Sequence, residues 1–377
     1  MGLTSGGLIA LLSVLTIVAL AGTVWVWPRL TTGGIRFLAM RAGVLLGGQT
    51  LIVLLLLVIV NAYYQFYGNW NDLMGAAGGK TTIHQHPQTR PNAATTTQVT
   101  RTITAKLGPG HGERPSRDGQ LQHLEIQGVR TGLSGDAYVY LPPQYFKKEF
   151  AAKRFPVVMM IAGYPSVDHL TWIDKGHVPD EAAKQLSAGQ IQPMIYVMMR
   201  PTVEPGWDTE CADVPGGPKV ETFFAQDVPD AVQSAYRTAQ TRKGWGIAGY
   251  STGGYCATKI AMLHSDRFSA AASMAGHFNA ILDRTTRNLY DGSAELRRDN
   301  NLTWRLKNLP QPPISILVAS ASIGEKTYPS AVQFMKQARP PLIVDEKLLP
   351  TGGHNFKTFR KYIPPVIHWM STHLQGE

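Results

Sequence analysis

The chain has 377 residues, 44% of them hydrophobic and only 16% charged, with a formal net charge of +10. That length supports one large domain with accessories or two ordinary ones, and the composition excludes a disordered tail, a collagen-like fibre and a disulfide-dense miniprotein. The basic surplus alone fits a nucleic-acid binder or a membrane-surface protein, while a mean hydropathy of -0.10 looks soluble. Both averages blend chemically different pieces.

No charged residue precedes Arg29, and 8–27 is almost wholly apolar. A second uncharged run, 42–63, contains LIVLLLLVIV. Each is about 20 residues, enough to cross a hydrocarbon core of about 30 Å. Either run alone could be a buried core helix or a cleaved signal peptide. The segment MGLTSGG lacks a basic n-region, however, and one signal peptide leaves the second run unexplained. Two retained transmembrane helices are therefore predicted, anchored in membrane lipid over 1–67. Gly47, Gly48, Gln49 and Thr50 are candidates for a helix–helix contact. The connecting loop holds Arg29, Arg36 and Arg41 and no acid, which places it in the cytoplasm and everything after about residue 65 outside. Trp25, Trp27, Tyr63, Tyr64, Phe66, Tyr67 and Trp70 are then expected near the interfaces.

Residues 68–120 are rich in Thr, Pro, Gly and Asn with little apolar periodicity, and are expected to be an extracellular tether. His84 and His86 in IHQH lack a nearby third ligand, so a solvated linker is the better reading than a metal site; no metal and no cofactor are expected. The charge divides unevenly. Residues 1–67 hold three Arg and no acid, 68–120 hold six bases and three acids, and the rest holds 27 bases and 23 acids. The globular part is thus only mildly basic, and no nucleic-acid partner is expected.

From 121 to 377, strand-like and helix-like segments alternate. The β-rich runs are 123–129, 137–142, 156–163, 193–199, 245–251, 269–276, 314–320 and 342–349, with helical patterns near 177–188, 219–238, 253–265, 329–338 and 357–373. Continuous apolar strands separated by helices predict a mainly parallel eight-stranded sheet with helices on both faces. The short Gly-containing link RTGLSGDA joins the first two as an antiparallel hairpin. An antiparallel start followed by βα repeats is the order of an α/β-hydrolase.

The sharpest local signal is Gly249-Tyr250-Ser251-Thr252-Gly253-Gly254, a G-x-S-x-G between the apolar run WGIA and the helical pattern YCATKIAMLH. A Ser at a tight strand-to-helix turn needs small neighbours, and the turn lifts its hydroxyl above the sheet at a helix N-terminus. Ser251 is the expected nucleophile, against a purely structural Gly-rich turn. Its base and orienting acid should follow in the order acid, then His. His354, in the Gly-rich loop PTGGHNF after the last strand, is the expected base. His264 and His368 lie on helices where surface or packing roles fit better, and His277 is a secondary candidate for the pocket wall. Glu325 follows the seventh strand and is the expected acid; Asp345 and Glu346 fall inside the eighth strand. The alternative for Glu325 is pairing with Lys326 or capping the next helix. For the oxyanion, the donors expected are the amide of Thr252 and one from the loop Ala162-Gly163-Tyr164-Pro165-Ser166. Pro165 has no N–H, so Tyr164 is the choice.

These residues carry a resemblance. The motifs IAGYPS, Trp207-Asp208-Thr209-Glu210-Cys211, Glu221-Thr222-Phe223, GYSTGG, GEKTY and GGHNF resemble the esterase family of α/β-hydrolases that includes esterase D-like enzymes and the antigen 85 mycolyltransferases. The resemblance covers roughly 120–375, and with two membrane helices ahead of it is similar to membrane-anchored esterase-family proteins of actinobacteria. It implies carboxylic-ester chemistry. One departure is plain: where mycolyltransferases hold trehalose with an acid and an arginine, the matching positions are Ala162 and Pro165. Asp168, His169 and Trp172 could form a different acceptor site, a solvated loop being the alternative. In an oxidising exterior, Cys211 and Cys256 are expected to pair, pinning their loop beside the nucleophile, with two buried thiols as the alternative.

The expectation is thus a membrane-anchored extracytoplasmic serine esterase acting on acyl esters. An acyltransferase passing its acyl group to a sugar hydroxyl of a cell-envelope glycan or glycolipid is the alternative, and a catalytically idle binding module is a third reading.

Overall fold

The computed structural model describes residues 6–30, 33–64, 98–103, 114–165, 171–204 and 206–377, and the chain separates into two compact units, Met1–Ala77 and Gly78–Glu377. In the first unit, α1 (Gly6–Val26) and α2 (Ile35–Tyr64) are joined through a 3-10 turn at Trp27–Leu30. Both helices are long and apolar enough to cross a membrane, and most of their side chains are exposed. The few hydroxyls bond back to their own helix: Ser13 Oγ donates to Ile9 O at 2.8 Å and Thr16 Oγ1 to Leu12 O at 2.7 Å. Thr23 Oγ1 and Thr50 Oγ1 do the same, so these four hydroxyls need no solvent partner. A Cβ at Gly47 or Gly48 would meet nothing within 4 Å. Within this chain, then, neither glycine lies at a close approach of α1.

The second unit is built on one sheet. Its strands are β1 (Gln98–Ile103), β2 (Gln120–Gln127), β3 (Ser134–Leu141), β4 (Val157–Ile161), β5 (Ile195–Met199), β6 (Trp245–Tyr250), β7 (Ala270–Met274), β8 (Ser315–Ile323) and β9 (Ile343–Thr351). The order across the sheet is β1-β2-β3-β5-β4-β6-β7-β8-β9. The eight expected strands are present, and a ninth adds to them. Strand β1 comes from the stretch expected to be only a tether, and pairs antiparallel with β2 from Gln98↔Gln127 to Ile103↔Gln122. A six-residue polar run carries little apolar signal of its own; what defines it as a strand is the open edge of β2.

Among themselves β4 to β9 pair only in parallel, which requires crossover helices and buries the central strands on both faces, while β5 meets β3 antiparallel and the edge strand β9 stays partly exposed. Strand β4 shows the consequence: all five residues of VVMMI are buried. Val157, Met159 and Ile161 face one core with Phe223, Phe224, Tyr255 and Ile260, while Val158 and Met160 face the other with Trp172, Tyr362 and Ile363. The first core is covered by α4 (Val228–Ala235), α5 (Thr252–Leu263), α6 (Leu302–Asn308) and α7 (Tyr328–Met335), the second by α3 (Val178–Ser187) and α8 (Phe356–His373). The helix expected over 219–238 is present over 220–235, with a π-type turn at Phe223–Asp227 set into it ahead of α4. That turn presents the buried carboxylate of Asp227 to the β2–β3 hairpin, where it accepts from the amides of Arg130 and Thr131 and from Thr131 Oγ1 at 2.7 Å.

Candidate active site

Ser251 sits between β6 and α5 at φ 55, ψ −129, a conformation that side chains rarely adopt without support. The support is backbone packed on backbone. A Cβ at Gly249 would lie 2.1 Å from Gly253 O, and one at Gly253 would lie 2.0 Å from Ile161 O. Both flanking glycines are therefore required by the approach of three backbone segments. The Ser251 amide donates to Met274 O at 3.0 Å, tying the turn to the end of β7.

Two further loops meet over this turn. Gly324 lies at φ +90, and a Cβ there would fall 2.6 Å from Gly352 O. The Gly352 amide donates to Ile323 O at 2.9 Å. The loops after β8 and β9 are thus locked together, which brings Glu325 against His354. His354 Nδ1 lies 2.9 Å from Glu325 Oε1 and 3.0 Å from Oε2, and Nε2 lies 2.8 Å from Ser251 Oγ. Glu325 is buried and also accepts from the amide and hydroxyl of Thr327, both at 3.1 Å. Burial alone would raise its carboxyl pKa, but the hydrogen bond and charge of His354 and the Thr327 donors outweigh it and hold the pKa below the usual value. An ionised carboxylate only accepts, so the proton of His354 belongs on Nδ1. That leaves Nε2 to accept from the Ser251 hydroxyl.

Around the serine, a Cβ at Gly163 would lie 2.8 Å from Ser251 Cβ. The loop after β4 therefore runs against the nucleophile turn, with Tyr164 next in chain, while Thr252 heads α5. The other expected residues fall as follows. Cys211 and Cys256 are bonded, S–S 2.09 Å, with both side chains buried. His264 pairs with Glu221 at 3.0 Å and His368 is exposed. Asp345 accepts from Trp369 Nε1 at 2.7 Å on the outer part of β9. Trp172 is fully buried edge-on to Tyr250, ring centroids 5.0 Å apart, so it belongs to the core and not to an acceptor site. Asp168, His169, Ser166, His84 and His86 lie outside the described residues. A cavity of about 550 Å³, walled in part by His123, Asp136, Arg200 and Phe223, includes none of Ser251, Glu325 and His354.

Two residues that the sequence offered only as letters of a motif, with no role of their own, stand out in the structure. In the loop that Cys211 closes, Asp208 and Glu210 are buried; Asp208 Oδ2 lies 3.1 Å from Thr252 Oγ1, and Glu210 Oε2 lies 2.8 Å from His277 Nε2. His277, taken as a pocket-wall candidate, instead stacks on Tyr255 at 4.6 Å and is buried in this cluster. The available signal was two acids beside a cysteine near the serine, but acids in a loop ordinarily face solvent.

Residues 130–327, more than half of the chain, match the model of the Esterase family, described as "Putative esterase". The chain belongs to this family. The matched segment contains Ser251 and Glu325 and ends before His354, which the tertiary structure brings to them. The esterase-family chain is 24% identical over 261 residues to an uncharacterized protein of Corynebacterium glutamicum, covering 63% of this chain and 57% of that protein. It is 25% identical over 198 residues to an esterase of Mycobacterium tuberculosis, covering 52% of this chain and 38% of that protein. The match thus spans little more than half of the first relative's length and well under half of the second's. Among solved structures, a ferulic acid esterase superposes with a TM-score of 0.59 at 18% identity, over 68% of this chain and 99% of the other. The fold is that of the α/β-hydrolases.

Proposed function

We propose that this esterase-family protein is a membrane-anchored serine esterase whose catalytic unit works outside the cytoplasm, with Ser251 as nucleophile, His354 as base and Glu325 as orienting acid. The observation that carries this reading is the continuous path from Ser251 Oγ through His354, 2.8 Å, to Glu325, 2.9 Å. In the acylation step Oγ attacks the ester carbonyl while His354 Nε2 takes its proton. The oxyanion is received by the amides of Thr252 and Tyr164. Collapse breaks the bond to the alcohol, which leaves with the proton from His354. Water, deprotonated by the same nitrogen, then attacks the acyl-enzyme and releases the carboxylic acid. Glu325 stabilises the imidazolium that forms in each half-reaction.

The substrate class is an acyl ester, with an ester of a cell-envelope glycan or glycolipid favoured by the membrane anchor. The same acyl-enzyme would permit transfer to a sugar hydroxyl. Ala162 is buried and apolar and Pro165 has no amide donor, which supports water as acceptor over trehalose held in the mycolyltransferase manner. An idle binding module has no use for a base and an acid aligned on a serine. A fluorophosphonate probe should label the wild type, and Ser251→Ala should abolish labelling and lower ester hydrolysis by about 10⁴-fold or more. An unlabelled wild type would sink the enzyme reading. Product analysis with a labelled acyl donor and candidate glycans separates the acceptors: acyl groups recovered on a sugar would overturn the preference for water.

A further inference from the structure

Behind the serine turn lies a buried acid–imidazole cluster with no part in the steps above. Asp208 is 4% exposed and Glu210 3%. Besides its contact with Thr252, Asp208 accepts from the Glu210 amide at 3.1 Å, and its own amide donates to Thr285 O at 3.2 Å. The Cys211–Cys256 bond holds the loop to α5 one turn beyond Thr252. The loop is also kinked into place, since Glu210 and Cys211 both have positive φ, 49 and 47. The buried cation Lys259 also faces Glu210, but its ammonium pairs with Glu221 at 3.5 Å and donates to Asn300 Oδ1 at 2.9 Å, so two carboxylates against the single imidazole of His277 would leave the Asp208 end of the cluster short of positive charge. The carboxyl at risk is one hydrogen bond from the residue whose amide is assigned to the oxyanion.

We propose that Asp208 is a positioning residue for the oxyanion side of the site: as a neutral acid it fixes Thr252 without placing charge behind it, and as a carboxylate it opposes the transition state. This rests on the serine-esterase reading. The reason is electrostatic. Negative charge developing on the substrate oxygen is destabilised by a second negative charge close by in a poorly solvated setting. Burial first, then the charge of Glu210, push the Asp208 pKa up to about 7, against the Glu210 amide, the Thr252 hydroxyl and the charge of His277. The titratable groups facing it are Glu210 from its own loop and His277 from the loop after β7; Thr252 presents only its hydroxyl from α5. Glu210 in turn faces Tyr255 and Lys259 on α5 and Tyr290, whose pKa values its charge pushes up. The charge opposes only the oxyanion, so its effect belongs in kcat and not in KM.

The test is kcat and KM for a p-nitrophenyl ester between pH 5.5 and 9 on the detergent-solubilised full chain, with fluorophosphonate labelling in parallel. The wild type should lose kcat on the alkaline side with a midpoint near 7. Asp208→Asn, uncharged and nearly isosteric, should still be labelled and should lack that falling limb, exceeding wild-type kcat about tenfold at pH 8.5. Thr252→Val keeps the amide but removes the hydroxyl that favours the carboxylate, so it should move the midpoint upward, and Thr252→Ser should restore it. A falling limb retained in Asp208→Asn overturns the proposal. Should that variant not fold, an unmoved midpoint in Thr252→Val overturns it instead. A labelled, active wild type with no alkaline fall in kcat sinks this proposal alone, whereas a wild type that neither labels nor hydrolyses sinks the esterase reading and this proposal with it.

Discussion

Glu325 and Asp208 are both buried carboxyls within the same site, and their surroundings push them in opposite directions. Glu325 is held below the ordinary range because His354 and Thr327 favour its charged form over the cost of burial. Its contribution to stability is present above the unfolded pKa and is lost as pH falls through the folded value. Asp208 is raised to about 7, so its contribution is fully present below the unfolded pKa, near 4, and disappears as pH rises to 7. The span corresponds to a loss on the order of 4 kcal/mol. Urea unfolding of Asp208→Asn should therefore show a flatter stability profile between pH 4 and 7 than the wild type; parallel profiles would mean Asp208 is not protonated in the folded chain. Ser251, Glu325 and His354 could be picked out in the sequence because each occupies a loop whose place after a strand is countable. Asp208 could not, because its partner Thr252 is 44 residues away and only the folded loop makes its burial apparent.

At the scale of elements, the same residues that announce the serine turn also explain its rigidity. Gly249 and Gly253 are recognisable as motif letters, but the contacts that exclude a side chain there, with Gly253 O and Ile161 O, come from β4 and α5 packing on β6. The disulfide adds a second restraint on this region. It closes a separation of 45 residues, for which a chain-entropy argument gives about 4 kcal/mol. Cys211→Ser should lower the unfolding free energy by about 2–4 kcal/mol in denaturant titration. It should also weaken ester hydrolysis more than Cys-to-Ser changes at a remote site would, because the freed loop carries Asp208. The π-type turn at Phe223–Asp227 was not legible in the sequence, since Phe223, Phe224, Val228 and Val232 keep an apolar rhythm through it. That turn sets the Asp227 carboxylate against the β2–β3 turn, a partner almost a hundred residues away in the chain.

For the molecule as a whole, the uneven charge is the organising feature. The basic loop between two apolar helices and the nearly balanced catalytic unit argue for a tethered enzyme and not for a nucleic-acid binder. Full-length protein should remain in the membrane pellet after alkaline carbonate extraction, and protease added to intact cells should remove the catalytic unit; extraction into the soluble fraction would contradict the anchor. The sequence by itself determined the two apolar helices, the α/β alternation and the three chemical groups, because hydrophobic period and turn chemistry are local properties. Only the tertiary structure decided three other things. It added β1 to the sheet edge, it chose the Cys211–Cys256 bond over the two buried thiols that the sequence left as the alternative, and it buried Asp208, Glu210 and His277 behind Thr252. Each of these depends on contacts between segments distant in the chain, where the free energy of pairing or desolvation is set by the neighbour and not by the residue.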